Sequence, residues 1–265
     1  MMNLRKQKNK TALITGPTEG IGYELTKLFA KDHFNLVLVA RNKIKLEEMA
    51  SSLMKQFNIK VLVISEDLSK VNSAQSIFDL VSKSQMEIDI LVNNAGVALY
   101  GGFGQTDLKK ELKMIQLNII TLTELVKYFL PNMIQKKSGQ IINIASTSAF
   151  QPGPLMSVYA ASKAYVLSFS EALSEELRHT GVSVTAVCPG PTRTGIINSS
   201  GGNKSKLFKG KIMTPKKVAK LTYEAVNKKK TIVITGIKNK ILAQSVRFIP
   251  RSIVRKLAKK LLEEK

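Results

Sequence analysis

The 265-residue chain has no tryptophan, one cysteine and two histidines, and its 19 acidic residues are far outnumbered by 41 Lys and Arg. The lone Cys188 excludes an internal disulfide framework and fits a reducing, cytoplasmic compartment. One cysteine with two histidines leaves too few soft ligands for a zinc site, so no metal is expected. No apolar run reaches 18 residues, which excludes a spanning helix. The opening MMNLRKQKNK is basic but lacks the apolar core of a signal peptide. The shortage of acid is local. Residues 204–265 hold 19 Lys and Arg against 3 Glu, a net of +16 out of the total +22, leaving only +6 for residues 1–203. Charge of this kind alone would suit nucleic acid. No recognised nucleic-acid module accompanies it, so nucleic acid is not expected as a partner.

What is present is ample core. A hydrophobic fraction of 44% over this length supports one globular domain spanning residues 1–265. Short β-rich runs recur at Leu13-Ile14, Leu36 to Val39, Val61 to Ile64, Ile88 to Val92, Ile141 to Ile144, Val182 to Val187 and Ile232 to Ile234. They are almost continuously apolar, as parallel strands covered on both faces must be. Helical spacing fills the gaps, for example Tyr23 to Lys31, Lys43 to Gln56 and Val71 to Lys83. The alternation predicts an α/β fold, a doubly wound seven-stranded parallel sheet flanked by helices, with a C-terminal helical extension. Two segments break the rhythm. Residues 191–214 are rich in Gly, Ser, Asn and Lys and read as a substrate lid, with Ile196, Ile197, Leu207, Phe208, Ile212 and Met213 pointing to a partly apolar substrate. Residues 238–265 read as a basic amphipathic extension, with Ile253, Val254, Leu257 and Leu261 on one stripe. That helix is expected to dock on the body or a neighbouring subunit; the alternative is a peripheral membrane contact.

TGPTEGIG, Thr15 to Gly22, follows the first strand and opens the first helix. Gly16 permits a sharp turn, and Gly20 and Gly22 let backbone approach a pyrophosphate presented to the helix amides. Thr18, Glu19 and Ile21 complete the lining. The second strand ends Val39-Ala40-Arg41-Asn42. Ala40 stands where an NAD site places an acid, and the Arg41 guanidinium matches a 2′-phosphate bidentately, with Lys45 adding charge from the next helix turn. NADP(H) is therefore expected ahead of NAD(H), although Glu19 would repel a phosphate brought close to it.

Downstream, Asp67-Leu68 closes the third strand and Asn93-Asn94-Ala95-Gly96 the fourth. Tyr159 and Lys163 lie four apart and share a helix face, so the ammonium is expected to lower the phenol's pKa toward usable acid–base chemistry. Ser146, at the end of the Ile141–Ile144 strand, would hold the substrate oxygen beside Tyr159. The two histidines, His33 and His179, read as surface residues, and Cys188 as a packed thiol.

TGxxxGIG, NNAG, Ser146, Tyr159-x-x-x-Lys163 and Pro189-Gly190-x-Thr192-x-Thr194 together resemble the short-chain dehydrogenase/reductase family, over about residues 10 to 236. The first 50 residues or so are most similar to its branch of 3-ketoacyl-CoA reductases and hydroxysteroid dehydrogenases, which use NADPH with an acid at the Glu19 position. The resemblance implies a catalytic set of Asn118, Ser146, Tyr159 and Lys163. In it, Asn118 helps hold a relay water and Lys163 also holds the nicotinamide ribose. It implies that Asp67 and Leu68 meet adenine and that Asn94, Ala95 and Gly96 line the adenosine side. Pro189, Gly190, Thr192 and Thr194 would clasp the nicotinamide carboxamide. It further implies a homodimer or homotetramer through helices around 107–136 and 157–180, and reduction of a small-molecule carbonyl or oxidation of its alcohol, such as a 3-oxoacyl compound. The alternative is a catalytically silent nucleotide-binding protein that contacts an acidic partner through its basic quarter.

Overall fold

The computed structural model describes residues 10–202, 205–206 and 212–263. Leu207 and Phe208 of the expected apolar lid set, and the basic opening residues 1–9, lie outside these. Seven strands form one parallel sheet: β1 Thr11–Thr15, β2 Asn35–Ala40, β3 Val61–Ser65, β4 Ile90–Asn93, β5 Gly139–Ile144, β6 Val182–Cys188 and β7 Ile232–Ile234, in the order β3-β2-β1-β4-β5-β6-β7. All seven expected runs are strands.

The continuous apolarity has a direct cause. Along β1, Ala12 and Ile14 enter one core while Leu13 enters the other; along β2, Leu36 and Leu38 part from Val37 and Val39 in the same way. Successive strand residues point to opposite faces, so a sheet roofed on both sides needs an apolar residue at every position. One roof is α1 (Gly20–Lys31), α2 (Lys43–Phe57) and α8 (Pro215–Asn227), contributing Leu25, Phe29, Leu46 and Val218. The other includes α3 (Ser73–Lys83), α5 (Leu122–Gln135) and α6 (Ser157–Glu176), contributing Ile77, Phe129 and Leu173. Polar residues set helix starts. The Asn42 side chain accepts from the Lys45 amide at the head of α2, and Asp107 from the Lys110 amide at the head of α4 (Leu108–Ile115).

The order reverses between β1 and β4, leaving a crevice outside their carboxyl ends where α/β sheets of this kind bind ligands. Between α4 and α5 the helix widens into a π-helical segment, Gln116–Thr121, a departure that often marks a functional position. After β6 the 191–214 segment carries a short helix, α7 (Gly195–Ser199), and a bridge from Thr192 to Met213.

The C-terminal extension forms α9 (Ile237–Ser245) and α10 (Arg251–Leu262), and α10 docks on the body. The docked face differs from the expected stripe. Val254, Ala258 and Leu262 are buried, whereas Ile253, Leu257 and Leu261 are 48%, 51% and 57% exposed. Leu262 enters an apolar cluster with Ala98 and Met156, and the small Ala258 lies in the buried row between it and Val254. That fit selects the row, and the row with the larger apolar side chains is left outside.

Candidate active site

The carboxyl ends of the strands open into one cleft of about 560 Å³, a volume suited to a small organic ligand. Its walls come from the loops after β1, β2, β3, β4, β5 and β6, and from α6.

The loop after β1 is shaped for an anion. Gly16 and Gly20 have φ of +65° and +60°, the left-handed region that glycine occupies without strain. Glu19 stands at the N-cap of α1, but its side chain makes no capping hydrogen bond and the first turn contains no acid. The leading amides are left to whatever occupies the cleft, and the helix dipole favours a pyrophosphate there. Gly22 does not line the cleft. A Cβ there would collide with the Gly16 carbonyl oxygen and the Asn94 amide, so this glycine lets the helix press against the turn. Asn94 holds that turn from across the switch point: its side-chain amide donates to the Thr15 and Gly16 carbonyls, both at 2.9 Å. The Thr15 hydroxyl in turn accepts the Asn94 and Ala95 backbone amides at 3.0 Å each. Sequence reasoning gave Thr15 no role; its place is to bolt the β1 turn to the β4 turn.

Glu19 lines the cleft beside the start of α7. A Cβ on Gly195 would stand 2.5 Å from Glu19 Oε1, which puts the carboxylate against the start of α7. At the β2 end, Ala40, Arg41 and Asn42 line the cleft together with Asp67 and Leu68, and Arg41 is exposed there. β3 ends at Ser65, two residues before Asp67, which lies in the loop that follows. Burial alone would raise the Asp67 pKa. Hydrogen bonds from the Ser69 hydroxyl and amide, aided by the Arg41 and Lys70 charges, outweigh it and hold the carboxyl below its ordinary value.

Ser146, Tyr159 and Lys163 meet where β5 ends and α6 begins. Ser146 caps a short 3₁₀ turn by accepting the Ser148 amide at 3.1 Å, and it lines the cleft together with Tyr159. Lys163 is buried, with Nζ donating to the Ile144 carbonyl at 2.8 Å and lying 5.8 Å from the centre of the Tyr159 ring. Burial pushes its pKa down to about 8, against a small opposing pull from Cys188. The expectation that Lys163 depresses Tyr159 does not hold in this geometry. Burial pushes the phenol up and the Ser146 hydroxyl only partly offsets it, while the ammonium is engaged with Ile144. Asn118 sits behind the cleft in the π-helical segment. It clamps Val97 through both backbone groups, accepting at 3.1 Å and donating at 3.0 Å, and also donates to Ser162. A Cβ on Gly96 would lie 3.3 Å from Asn118 Oδ1 and 3.4 Å from Lys163 Nζ, so these two side chains converge on one backbone point.

Pro189, Gly190, Thr192 and Thr194 line the cleft beyond β6, and the Thr192 hydroxyl donates to the Gly190 carbonyl at 2.8 Å. Cys188 is fully buried, and burial followed by the Glu171 charge pushes its thiol up to about 12, so it is inert packing. His33 and His179 are exposed. Sequence reasoning missed the wall opposite: Ala98, Met114 and Met156 line the cleft, and Leu262 packs into the same apolar cluster as Ala98, Met156, Tyr100, Tyr159 and Ile196. The Tyr100 hydroxyl fixes it by donating to the Leu262 carbonyl at 2.6 Å. Nothing local in the sequence joins residues so far apart.

Residues 10–204 match the family model for short chain dehydrogenase. The chain is 32% identical over 228 residues to a ketoacyl reductase, HetN, of a Nostoc species, covering 86% of this chain and 78% of the relative. It is 35% identical over 184 residues to the human very-long-chain 3-oxoacyl-CoA reductase, covering 67% of this chain and 58% of that enzyme. Among solved structures, a short-chain dehydrogenase from Sphingobium yanoikuyae in complex with NADPH superposes with a TM-score of 0.81 at 31% identity, covering 90% of this chain and 94% of the other. The chain belongs to the short-chain dehydrogenase family, as its motifs suggested, and its relatives include the expected 3-oxoacyl reductase and hydroxysteroid dehydrogenase-like branch.

Proposed function

We propose that this short-chain dehydrogenase interconverts a carbonyl and a secondary alcohol with NADP(H), using Tyr159 as the acid and base. The observation that carries the reading is the convergence of Ser146 and Tyr159 in the lining of the cleft, with the Lys163 ammonium buried 5.8 Å from the Tyr159 ring centre. The cleft fits a dinucleotide: uncapped helix amides and left-handed glycines at one turn, a guanidinium at the β2 end and hydroxyl-bearing Thr192 and Thr194 beyond β6. When bound, the nicotinamide supplies or accepts the hydride. Ser146 holds the substrate oxygen, and Tyr159 gives that oxygen its proton or removes it. Lys163 holds positive charge beside the phenol and the cofactor ribose. Asn118 steadies the Gly96–Val97 backbone and, with Lys163, offers polar groups to a relay water.

Arg41 without an acid at position 40 supports the phosphorylated cofactor, with NAD(H) the weaker alternative. Glu19 turned onto Gly195 removes the objection its charge raised. The substrate is read as a small or partly apolar carbonyl of the 3-oxoacyl kind, since Ala98, Met156, Ile196 and Leu262 cluster beside Tyr159 and two curated relatives are named for such substrates. Residues 191–214 would close over it as a lid. Exposed Leu108, Leu112 and Ile120 on α4 and the π-helical segment, with Tyr165 on α6, suit a homodimer or homotetramer. A free, buried Cys188 fits a cytoplasmic setting.

The test is NADPH oxidation across a panel of 3-oxoacyl, steroid and small ketones, with Tyr159→Phe as control. Turnover of at least one carbonyl, lost by 10²-fold or more in the variant, is expected. Cofactor binding without turnover, or turnover indifferent to Tyr159→Phe, would refute the mechanism.

A further inference from the structure

We infer that the outer surface of α9 and α10 docks on an anionic lipid surface. Between Ile237 and Leu262 lie eight Lys and Arg and no acid. The same stretch exposes large apolar side chains to an unusual degree: Ile237 is 80%, Phe248 87%, Leu242 65% and Ile241 63% exposed. On α10 the exposed apolar row of Ile253, Leu257 and Leu261 runs beside the docked row. At about 100° per residue, Lys256 and Lys260 flank it. An apolar strip edged by ammonium groups is the pattern of a helix that lies in the headgroup plane. No described helix is long and apolar enough to cross a membrane, so the contact is peripheral.

Charge decides among occupants. A second copy of this face would bring eight like charges against eight, whereas an anionic leaflet neutralises them. The apolar patch on α4 and the π-helical segment offers copies of the chain a separate meeting surface. An acidic protein would satisfy the lysines but would gain less from the branched aliphatic row between them. The placement has a consequence that rests on the proposed activity: Leu262 caps α10 inside the Tyr159 cluster, so a docked helix holds the substrate wall beside the bilayer, where lipophilic carbonyls concentrate.

Co-sedimentation of the full chain with phosphatidylcholine vesicles, with and without phosphatidylglycerol, tests the surface without reference to turnover. Binding is expected only to the anionic vesicles, and should fall as salt rises. Lys256→Ala with Lys260→Ala should weaken partitioning roughly 30-fold, since each basic residue at such a surface contributes about fivefold. Leu257→Gln should also weaken it, with NADPH binding unchanged in both variants because these side chains point away from the cleft. Absence of binding to anionic vesicles, or equal binding to both compositions, would overturn the inference. So would a Leu257→Gln protein that loses oligomers while keeping its vesicle affinity, because the row would then belong to a second copy.

Discussion

The two sides of the cleft are built differently. On the cofactor side, turns from β1 and β4 are bolted together by four hydrogen bonds of 2.9 to 3.0 Å, from Asn94 and Ala95 to Thr15 and Gly16, between chain segments far apart in sequence. On the substrate side, an apolar cluster and one hydroxyl, Tyr100 to the Leu262 carbonyl, hold the end of α10 in place. The first side has polar groups at fixed positions and almost no freedom to substitute. The second is a hydrophobic contact that can change size without unmaking the fold. On the proposed function, the rigid side would serve the cofactor and the apolar side the substrate.

Gly22→Ala attacks the rigid side most directly. The added methyl meets the Gly16 backbone and the Asn94 amide, a side chain already held by two hydrogen bonds. We expect a loss of about 1–3 kcal/mol in stability and NADPH affinity reduced beyond measurement by fluorescence titration; a protein of normal affinity would show the bolt to be slack. Arg41→Asp should raise the Michaelis constant for NADPH about 10- to 100-fold, from loss of a charge-assisted contact worth about 1.5–3 kcal/mol, and raise that for NADH much less. An equal rise for both would mean that Arg41 does not read the 2′-phosphate.

Lys163 offers a pH test of the same side. Its folded pKa of about 8 lies below the ordinary 10.5 because burial disfavours the ammonium. Between those values the unfolded chain holds a proton that the native protein has released, so stability should climb as pH rises from about 8 toward 10.5. Below about 8 both states are protonated and the buried charge costs its full penalty. Thermal unfolding against pH should show this rise between about 8 and 9, above which the raised Cys188 thiol opposes it, and Lys163→Met should flatten it; an unchanged profile would show that Lys163 is not the titrating group. The smallest effect belongs to the adaptable side. Leu262→Ala should alter kcat/KM for bulky carbonyls about 3- to 10-fold, the order of losing one or two buried methylenes, while the NADPH constant stays put. A change confined to the NADPH constant would place Leu262 against the cofactor instead.

The same contrast decides how much could be read in the sequence. All seven strands were legible because parallel strands need apolar residues on both faces, and their spacing survives without knowledge of partners. The glycine turn, Asn94 and the Ser146–Tyr159–Lys163 set were legible because each belongs to a short motif at a strand end or on one helix face. Asn118 was placed by resemblance alone, since a π-helical widening leaves no hydrophobic period to detect. The direction of the Tyr159 shift was misjudged because four-residue spacing brings Lys163 near the ring but reveals neither the burial of the phenol nor the Ile144 carbonyl that accepts the ammonium's hydrogen bond. The docked row of α10 was misassigned for a similar reason. Amphipathic spacing favoured the larger side chains, whereas the surface receiving the helix accepts Ala258 and Leu262.

The Tyr100–Leu262 contact also sets an order of events during synthesis. The residues that line the cleft all precede residue 201 in the chain, and the sheet is complete at Ile234. Leu262 leaves the ribosome after them. A nascent chain folding from its N-terminus can therefore shape the cleft while Leu262 is still in the exit tunnel, so that the apolar backing behind Ala98, Met156 and Tyr159 is the last contact the molecule completes.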